Sequence, residues 1–313
     1  MASMGPLNPK VIVLTGPTGS GKSSLAIELA SIFRGAIING DSLSVYRGLD
    51  IGTAKPTLAE RSLVPHYLFD ILEPDEDFDS LDYLSLARPL IKELTDKGYL
   101  PIVVGGSGLY LRSLLKGVFF GPGRDPVYRE HLRALETEGV NLHELLQQKD
   151  PKTAARLHPH DRIRIERALE VFHQEGQSIS DLQEKHALSD RVFDSLQLVI
   201  ELPTPVLDIR LQDRVNKMFE LGIVAETENL LNRGFSPELK PLQSIGYREV
   251  ISYLRGENSL EETKAKVYLR TRRFAKRQRS WFRGQMPEAI RVENELDKIK
   301  SEVVLFLEEV QNC

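Results

Sequence analysis

Short, continuous apolar runs alternate with segments of helical periodicity along the first third of the chain. Each apolar run is only a few residues long and shows no alternation of polar and apolar positions, which is typical of strands buried on both faces of a parallel sheet. The segments between the runs repeat apolar positions three or four residues apart, as amphipathic helices do. This order of elements predicts an α/β fold, a parallel sheet with helices on both faces. The predicted strands are 11–14, 36–38 and 101–104, and the predicted helices are 23–33, 81–97 and 109–116.

The pattern changes after Gly121-Pro122-Gly123, where glycine and proline interrupt the alternation. From about residue 125 to 180 the sequence is helical and rich in charge, and the next apolar run, 196–202, predicts a strand that returns to the sheet. We therefore predict a core domain, 1–122 with 196–313, and a helical insertion domain, 123–195. The last predicted helices are 206–221, 225–232, 247–254 and 261–283.

A phosphate-binding loop sequence follows the first predicted strand and precedes the first predicted helix. Its residues are Gly16, Pro17, Thr18, Gly19, Ser20, Gly21, Lys22 and Ser23, which fit the P-loop pattern G-x-x-x-x-G-K-[ST]. Glycines let successive N–H groups converge on one anion, and the following helix adds the positive end of its dipole. Lys22 supplies a charge and Ser23 a hydroxyl for Mg²⁺. The core is therefore expected to be P-loop NTPase-like and to bind a diphosphate or triphosphate; an unliganded glycine-rich turn is the alternative.

Two further polar residues follow predicted strands. Asp41 comes after the second strand and Ser107 after the third. Because ligands of open parallel sheets bind at the carboxyl ends of the strands, both are expected to meet the P-loop at one site. A carboxylate there can act as a base or hold Mg²⁺ through water. The alternatives are a helix N-cap for Asp41 and a plain tight turn around Ser107.

A run of cations without any acid marks the helix predicted near the C-terminus. The cations are Lys264, Lys266, Arg270, Arg272, Arg273, Lys276, Arg277, Arg279 and Arg283. We expect Val267, Phe274 and Trp281 to pack inward and the cations to face a polyanion such as RNA. Pairing with the protein's own acids is the alternative. A second basic set, Arg156, Arg162, Arg164 and Arg167, lies in the predicted insertion.

Composition excludes several other classes. The 313 residues are 41% hydrophobic and 27% charged with a net charge of −4, so a folded core is expected and RNA binding requires a local basic patch. Cys313 is the single cysteine, which excludes an internal disulfide and a cysteine-built zinc site. No apolar segment is long enough to span a membrane, and Met1 to Lys10 lacks the pattern of a signal peptide, so we expect a cytosolic protein.

Histidines do not form a recognisable metal-binding pattern. His158, His160 and Asp161 are too closely spaced for a metal site, and Asp161 is better suited to a helix N-cap. His143 is followed by a glutamate, but the second histidine of H-E-x-x-H is lacking.

Motifs distributed over nearly the whole chain resemble those of the bacterial tRNA dimethylallyltransferases. Besides the P-loop, the matching stretches are Asp41-Ser42, Val45 to Pro56, His66-Tyr67-Leu68, Gly105 to Tyr110, His158-Pro159 with Asp161, Arg167 to Val171, Gly246-Tyr247-Arg248 and Ala275 to Gln278. Of these, the stretch from Ile51 to Pro56 is the most specific.

The resemblance implies transfer of the dimethylallyl group of dimethylallyl diphosphate to N6 of adenosine 37, beside the tRNA anticodon. It makes Asp41 the general base and places Ser107 near the leaving oxygen and the target nucleotide. It also implies that Arg214, together with the P-loop and Mg²⁺, binds the diphosphate. The core and the insertion would hold the anticodon stem-loop, which presents a base swung out of its stack. Residues carried over as tRNA contacts are Asp41, Ser42, Leu43, Ser44, Ser107, Arg129, Ile163, Arg164, Arg167, Gln243, Gly246, Tyr247 and Arg248. Arg272 and Arg273 join them from the basic helix, and the protein is expected to be a monomer.

The sequence departs from the family pattern at two positions. Serine replaces the usual threonine at Ser107, which keeps the hydroxyl but loses a methyl group that limits its rotamers. Serine also replaces the usual glutamine at Ser44, where a shorter side chain leaves base discrimination in doubt. The C-terminal cysteine–histidine finger of the eukaryotic members is lacking.

Three other functions account for part of the sequence. A small-molecule kinase explains the P-loop and Asp41, but not the basic helix. An adenylate isopentenyltransferase, which acts on free AMP, ADP or ATP, needs neither the insertion nor the basic helix. A non-catalytic RNA-binding protein does not need Lys22, Ser23 and Asp41 together.

Overall fold

The structure, a computed structural model, describes residues 8–117, 121–186 and 192–308. Cys313 therefore lies outside the described residues. The chain forms two compact units: a core unit, 1–115 with 191–313, and a helical unit, 116–190.

The core unit contains a parallel sheet of six strands. Its strands are β1 (Lys10–Thr15), β2 (Gly35–Asn39), β3 (His66–Tyr67), β4 (Leu100–Gly105), β5 (Asp194–Ile200) and β6 (Ile290–Val292). The spatial order is β3-β2-β4-β1-β5-β6, and every neighbouring pair is parallel. The predicted α/β class is confirmed. The sequence did not predict β3 and β6, because two or three residues at the edge of a sheet are too few to show periodicity.

Helices surround the sheet and build the second unit. They are α1 (Lys22–Ile32), α2 (Leu58–Leu63), α3 (Ser80–Asp96), α4 (Gly108–Lys116), α5 (Pro126–Thr137), α6 (Leu142–Lys149), α7 (Pro151–Arg156), α8 (Arg162–Glu175), α9 (Ile179–His186), α10 (Thr204–Glu220), α11 (Ile223–Asn232), α12 (Tyr247–Leu254), α13 (Leu260–Gln285) and α14 (Leu296–Glu308). Two of them, α2 and α14, were not predicted. The short α2 is set by a capping box between Thr57 and Glu60, a signal that apolar periodicity does not detect.

Both faces of the sheet are buried. On one face, Ile12 and Ile102 pack in a cluster with Leu29 of α1 and Ile299 of α14. Val11, Val13 and Val103 point to the opposite face, because side chains alternate along a strand, and they are also fully buried. Because both faces of the sheet are buried, its strands are apolar at consecutive positions, as the sequence predicted.

The helical unit has its own core and an internal ion-pair cluster. Leu132, Leu146 and Leu169 pack together at its centre. The buried Glu170 accepts hydrogen bonds from Arg129 at 2.7 and 2.9 Å and from Arg167 at 2.6 Å. Although burial opposes ionisation, these two guanidinium groups lower the pKa of Glu170 to about 2. Arg129 of α5 therefore stabilises the packing of α5 against α8, whereas Arg167 pairs with Glu170 within α8.

The inward face of α13 differs from the predicted one. Its buried positions are Thr263, Val267, Thr271, Ala275, Gln278 and Phe282. The predicted stripe of Val267, Phe274 and Trp281 is wrong at Phe274, which is exposed, and Trp281 is only half-buried. Small and polar residues fill most of the inward face because α13 packs closely on neighbouring backbone, so hydrophobicity alone did not reveal it.

Candidate active site

The ends of three neighbouring strands form one edge of the sheet. The P-loop follows β1, Asp41 follows β2, and Ser107 follows β4, which lies between the other two strands. The N–H of Ser42 donates to Ser107 Oγ at 2.9 Å, so the segments after β2 and β4 are directly bonded. The predicted convergence of these segments at one edge is confirmed.

A cavity of about 440 Å³ opens at this edge. Its wall combines apolar residues, among them Ile37, Phe69 and Met218, with polar residues from several loops. The predicted site residues that line it are Thr18, Lys22, Ser23, Asp41, Ser42, Leu43, Ser44, Arg214 and Gln243. The mixture of apolar surface and a few converging polar groups is typical of a small-molecule site.

The P-loop presents only part of its side chains to the cavity. Thr18, Lys22 and Ser23 line the wall, whereas the other predicted members, Gly16, Pro17, Gly19, Ser20 and Gly21, form the backbone frame of the loop. Gly21 precedes α1 with a φ of 85°, a left-handed conformation that a residue with a side chain rarely adopts. The carbonyl oxygen of Ser20 accepts a hydrogen bond from Asn294 Nδ2 at 2.7 Å. This bond ties the P-loop to the segment that follows β6.

Two partly buried cations and one carboxylate set the electrostatics of the cavity. Burial lowers the pKa of Lys22 to about 8, although Asp41 partly counters the shift, and the nearby Arg214 lowers it further. Burial also lowers the pKa of Arg214, again against the effect of Asp41. The Nη2 of Arg214 donates to the Thr53 carbonyl oxygen at 3.3 Å. Two poorly solvated cations facing a single carboxylate favour the binding of an anion.

Asp41 is oriented by its own loop. Its Oδ1 accepts from the N–H of Leu43 at 3.0 Å, and its N–H donates to Asn39 Oδ1 at 2.9 Å. The alternative of a helix N-cap is wrong, because the next helix begins at Leu58. The bond to Leu43 uses only Oδ1, so Oδ2 is available to accept a proton.

Ser107 is bonded to the segment that carries Asp41. Its Oγ accepts from the N–H of Ser42 and donates to Ser42 Oγ at 3.1 Å. The alternative of a plain turn does not account for these bonds between two strand ends. The hydroxyl is thus held beside the cavity wall that Ser42 forms.

Residues outside the predicted set hold the loop from Asp50 to Pro56 in the cavity wall. A carboxylate oxygen of Glu226 accepts from the N–H of Ile51 at 2.8 Å, and the same carboxylate accepts from Tyr247 Oη at 2.6 Å. Lys55 is buried, and its Nζ bonds the side chains of Asp50, at 2.7 Å, and Asp70. The most specific stretch of the sequence therefore forms a loop fixed by one carboxylate and one ammonium group. Glu226 lies on α11, and no motif in the sequence indicates its role.

The predicted tRNA contacts fall into different environments. Tyr247 is fully buried, so the contact predicted for it is not available to its side chain. Gly246 precedes α12, where its N–H donates to Glu249 at 2.7 Å, and Arg248 is exposed on the same helix. Ile163 and Arg164 are exposed in the helical unit.

The cations of α13 are partly neutralised by the protein itself. Arg272 pairs with Asp208 at 2.9 Å, and Arg283 pairs with Glu201 at 3.3 Å. Pairing with the protein's own acids is therefore correct for these residues. Arg273 and Lys276 are exposed and form no ion pair within the part of the chain that the structure describes. Both are therefore available to a polyanion.

Residues 8–117, 121–186 and 192–308 contain no cluster of three histidine, cysteine or acidic side chains that could bind a metal. The rings of His158 and His160 have centroids 5.2 Å apart. Asp161 occupies the N-cap position of α8 as predicted, but its carboxylate accepts from Arg164 at 2.8 Å rather than from the helix backbone. No helix among the described residues is long and apolar enough to cross a membrane.

Comparison with known proteins gives consistent matches over most of the chain. Residues 44–285 match the sequence model of the family described as IPPT, IPP transferase. A tRNA dimethylallyltransferase of Syntrophobacter fumaroxidans is 50% identical over 276 residues, 88% of this chain and 81% of that protein. A tRNA dimethylallyltransferase of Desulfosudis oleivorans is 43% identical over 306 residues, covering 96% of this chain and 97% of that protein.

Solved structures show the same likeness. The full-length tRNA isopentenylpyrophosphate transferase of Bacillus halodurans has a TM-score of 0.72 and 36% identity, covering 96% of this chain and 97% of that one. A eukaryotic dimethylallyltransferase studied acting on tRNA has a TM-score of 0.79 and 30% identity, covering 97% of this chain and 78% of that one.

Proposed function

Because the chain belongs to the IPP transferase family, we propose that it transfers a dimethylallyl group from dimethylallyl diphosphate to N6 of adenosine 37 in tRNA. The observation that carries this proposal is that the partly buried Lys22 and Arg214 line the same cavity as Asp41. Cations there suit a diphosphate, and the carboxylate suits proton removal from an amine. The named relatives act on tRNA and support the choice of acceptor.

The reaction divides between two sets of groups in the cavity. Lys22, Arg214 and the P-loop hold the diphosphate, which leaves with the electron pair of the broken carbon–oxygen bond. The adenine N6 forms the new bond to that carbon and gives up a proton to Asp41. Stabilising the negative charge on the leaving diphosphate contributes more to catalysis than removing the N6 proton does. This charge develops in the transition state, where fixed cations act most strongly.

Mg²⁺ fits the donor set of this site. Ser23 lines the cavity and would supply a hydroxyl, and a bound diphosphate would add further oxygens. Few protein ligands would be needed, because Mg²⁺ in proteins usually keeps several waters and is bound largely through substrate phosphates. We assign Ser23 as its ligand; when bound, the ion neutralises charge on the leaving diphosphate.

The acceptor is assigned to the part of the wall formed by Ser42, Leu43, Ser44 and Gln243. Ser107, bonded to Ser42, lies beside it. Arg129, Ile163, Arg164 and Arg167 of the helical unit, and Gly246 and Arg248 of the core unit, remain proposed tRNA contacts. For Arg129 and Arg167 the contact requires a phosphate to share a guanidinium group with Glu170. A monomeric state and a cytoplasmic location are also part of the proposal.

The choice of donor separates the proposed transferase from a kinase. Purified protein with Mg²⁺ and unmodified tRNA is given either labelled dimethylallyl diphosphate or γ-labelled ATP. We expect label in tRNA from the prenyl donor alone. Phosphorylation of tRNA or of a nucleoside from ATP, without prenyl transfer, would instead favour the kinase.

Donor use is expected to depend on pH through Lys22. Because its pKa in the free protein is about 8, raising the pH through 8 removes the charge that binds the diphosphate. We expect kcat/KM for the donor to fall about tenfold per pH unit above 8, as for one essential proton. The measurement is a pH profile at saturating tRNA.

The same shift has a consequence for stability that serves as a check. The folded pKa of Lys22 lies below its unfolded value of 10.5, so the unfolded chain binds more protons between pH 8 and 10.5. The contribution of Lys22 to the free energy of unfolding therefore rises with pH over this window and is lost as pH falls back through 8.

For donor use, a kcat/KM that stays flat from pH 7 to 10 would contradict the role of Lys22 as the titrating group.

Binding of tRNA is expected to depend on the exposed cations of α13. Removing Arg273 and Lys276 by alanine substitution should weaken tRNA binding and reduce the slope of log K against log salt by about two. Arg272→Ala is the matched control, since Asp208 already neutralises Arg272, and a smaller change in slope is expected. An unchanged slope in the double variant would show that this face of α13 does not contact tRNA.

A further inference from the structure

Gln278 lies where the basic helix α13 meets the wall of the cavity. It is 6% exposed, on the inward face of the helix, and it contributes to the cavity lining. Arg277 and Phe274, on the same helix, also line the cavity. A buried amide among the cations of a surface helix requires partners, and both of its polar ends have them.

The amide of Gln278 joins two catalytic loops. Its Oε1 accepts from the N–H of Thr18 at 2.9 Å, and its Nε2 donates to the Gly106 carbonyl oxygen at 3.0 Å. Thr18 belongs to the P-loop, and Gly106 directly precedes Ser107. Among side chains of this length only glutamine offers a neutral donor and a neutral acceptor together.

The fit at Gly106 is close. A Cβ built on Gly106 would lie 2.5 Å from Gln278 Nε2, so a side chain there would displace the amide. From Gly106 the connection continues through Ser107 to the N–H of Ser42, which follows Asp41. One side chain thus links the diphosphate loop with the strand ends that carry the base and the hydroxyl.

We propose that Gln278 is a positioning residue of the transfer reaction, fixing the P-loop relative to the strand end that carries Ser107. This inference rests on the proposed prenyl transfer. The donor carbon is held through its diphosphate by the P-loop, whereas the acceptor is placed at the Ser107 and Asp41 side. A fixed separation between these loops therefore sets the attack distance, and a displacement of about 1 Å is enough to lower a rate 10²-fold.

The test compares three variants in the full-length protein. Gln278→Met keeps the volume but removes both hydrogen bonds, and Gln278→Glu keeps an acceptor for Thr18 but cannot donate to Gly106. Gln212→Met is the matched control, because Gln212 is exposed on α10 and lies outside the cavity lining. Steady-state kcat and KM for dimethylallyl diphosphate, tRNA affinity and the melting temperature are measured for each.

We expect Gln278→Met to lower kcat about 10- to 10²-fold with tRNA affinity unchanged, the scale of a misplaced reacting group. Gln278→Glu should show a similar loss of kcat and a larger rise in donor KM, because its charge repels the diphosphate. Gln212→Met should leave kcat and donor KM within about twofold of wild type. A value of kcat within twofold of wild type in Gln278→Met, or the same loss of kcat in both Gln278→Met and Gln212→Met, would overturn the proposal.

A double variant separates positioning from a general loss of stability. Ser107→Ala and Gln278→Met each lower kcat by some factor. If Gln278 acts through the Ser107 loop, the double variant should lose less kcat than the product of these two factors. Losses that simply multiply would refute the link. If the wild-type protein transfers no prenyl group to tRNA, the proposed function itself is refuted. If the wild type is active and the Gln278 variants are equally active, only the role of Gln278 is refuted.

Discussion

We expect Asp41→Asn to lower turnover by about 10²-fold or more while tRNA binding stays nearly unchanged, as for the loss of a general base. Asparagine has the same shape, and its oxygen can still accept from the N–H of Leu43 at the position of Oδ1. What is lost is the ability to take the N6 proton. The measurement is single-turnover transfer at saturating donor and tRNA.

The affinity for tRNA and the melting temperature are the controls for this variant. Removing the carboxylate also removes the negative charge that faces Lys22 and Arg214, so donor affinity should not fall. A turnover close to that of wild type would remove Asp41 from the role of base. A loss that appears only as a raised tRNA KM would make it a binding residue.

Replacing Lys22 by alanine should abolish donor use at ordinary concentrations, with a loss in kcat/KM of about 10²- to 10³-fold, typical of one stabilising group in the transition state. The cause is the loss of a buried charge opposite the leaving diphosphate. Because burial already disfavours that charge, the variant should be no less stable than wild type at pH 7.

Lys92→Ala is a suitable control, since Lys92 is exposed on α3 and lies outside the cavity lining. It should leave kcat/KM for the donor unchanged. Efficient turnover of Lys22→Ala at low donor concentration would contradict the assignment of the P-loop to the diphosphate. Loss of folding in that variant, seen as a lower melting temperature, would contradict the electrostatic account of Lys22.

The strands and the P-loop were predictable because their signals are local. Buried parallel strands are apolar throughout, and the rule that ligands bind at strand carboxyl ends places Asp41 and Ser107 beside the P-loop without further information. The edge strand β3 was not predictable, because its two residues are selected by pairing with Ile37 and Ile38 rather than by their own pattern.

The inward face of α13, in contrast, could not be predicted from local sequence signals. Val267, Thr271, Ala275, Gln278 and Phe282 follow helical spacing, but three of them are small or polar, so an apolar stripe at sevenfold spacing looked more convincing. What decides the face is the close approach of backbone at Gly106 and the hydrogen bonds available there. Such contacts join residues far apart in sequence.

The loop from Asp50 to Pro56 lies between these cases. Its sequence identified the family, but it did not explain why the string is so specific. The structure supplies a reason: Glu226 binds the backbone at its start and Lys55 anchors it from within. The sequence does not reveal these contacts of Glu226 and Lys55. Glu226 in particular lies on α11, far along the chain from the loop that it binds.

The most direct test of the account is the acceptor of the dimethylallyl group. Purified protein with Mg²⁺ and labelled dimethylallyl diphosphate is given unmodified tRNA with adenosines at positions 36 to 38, the same tRNA with guanosine at 37, or free AMP. The account predicts label in the first tRNA alone, as N6-dimethylallyladenosine. Label in AMP but not in tRNA would contradict it and place the protein among the nucleotide-prenylating enzymes.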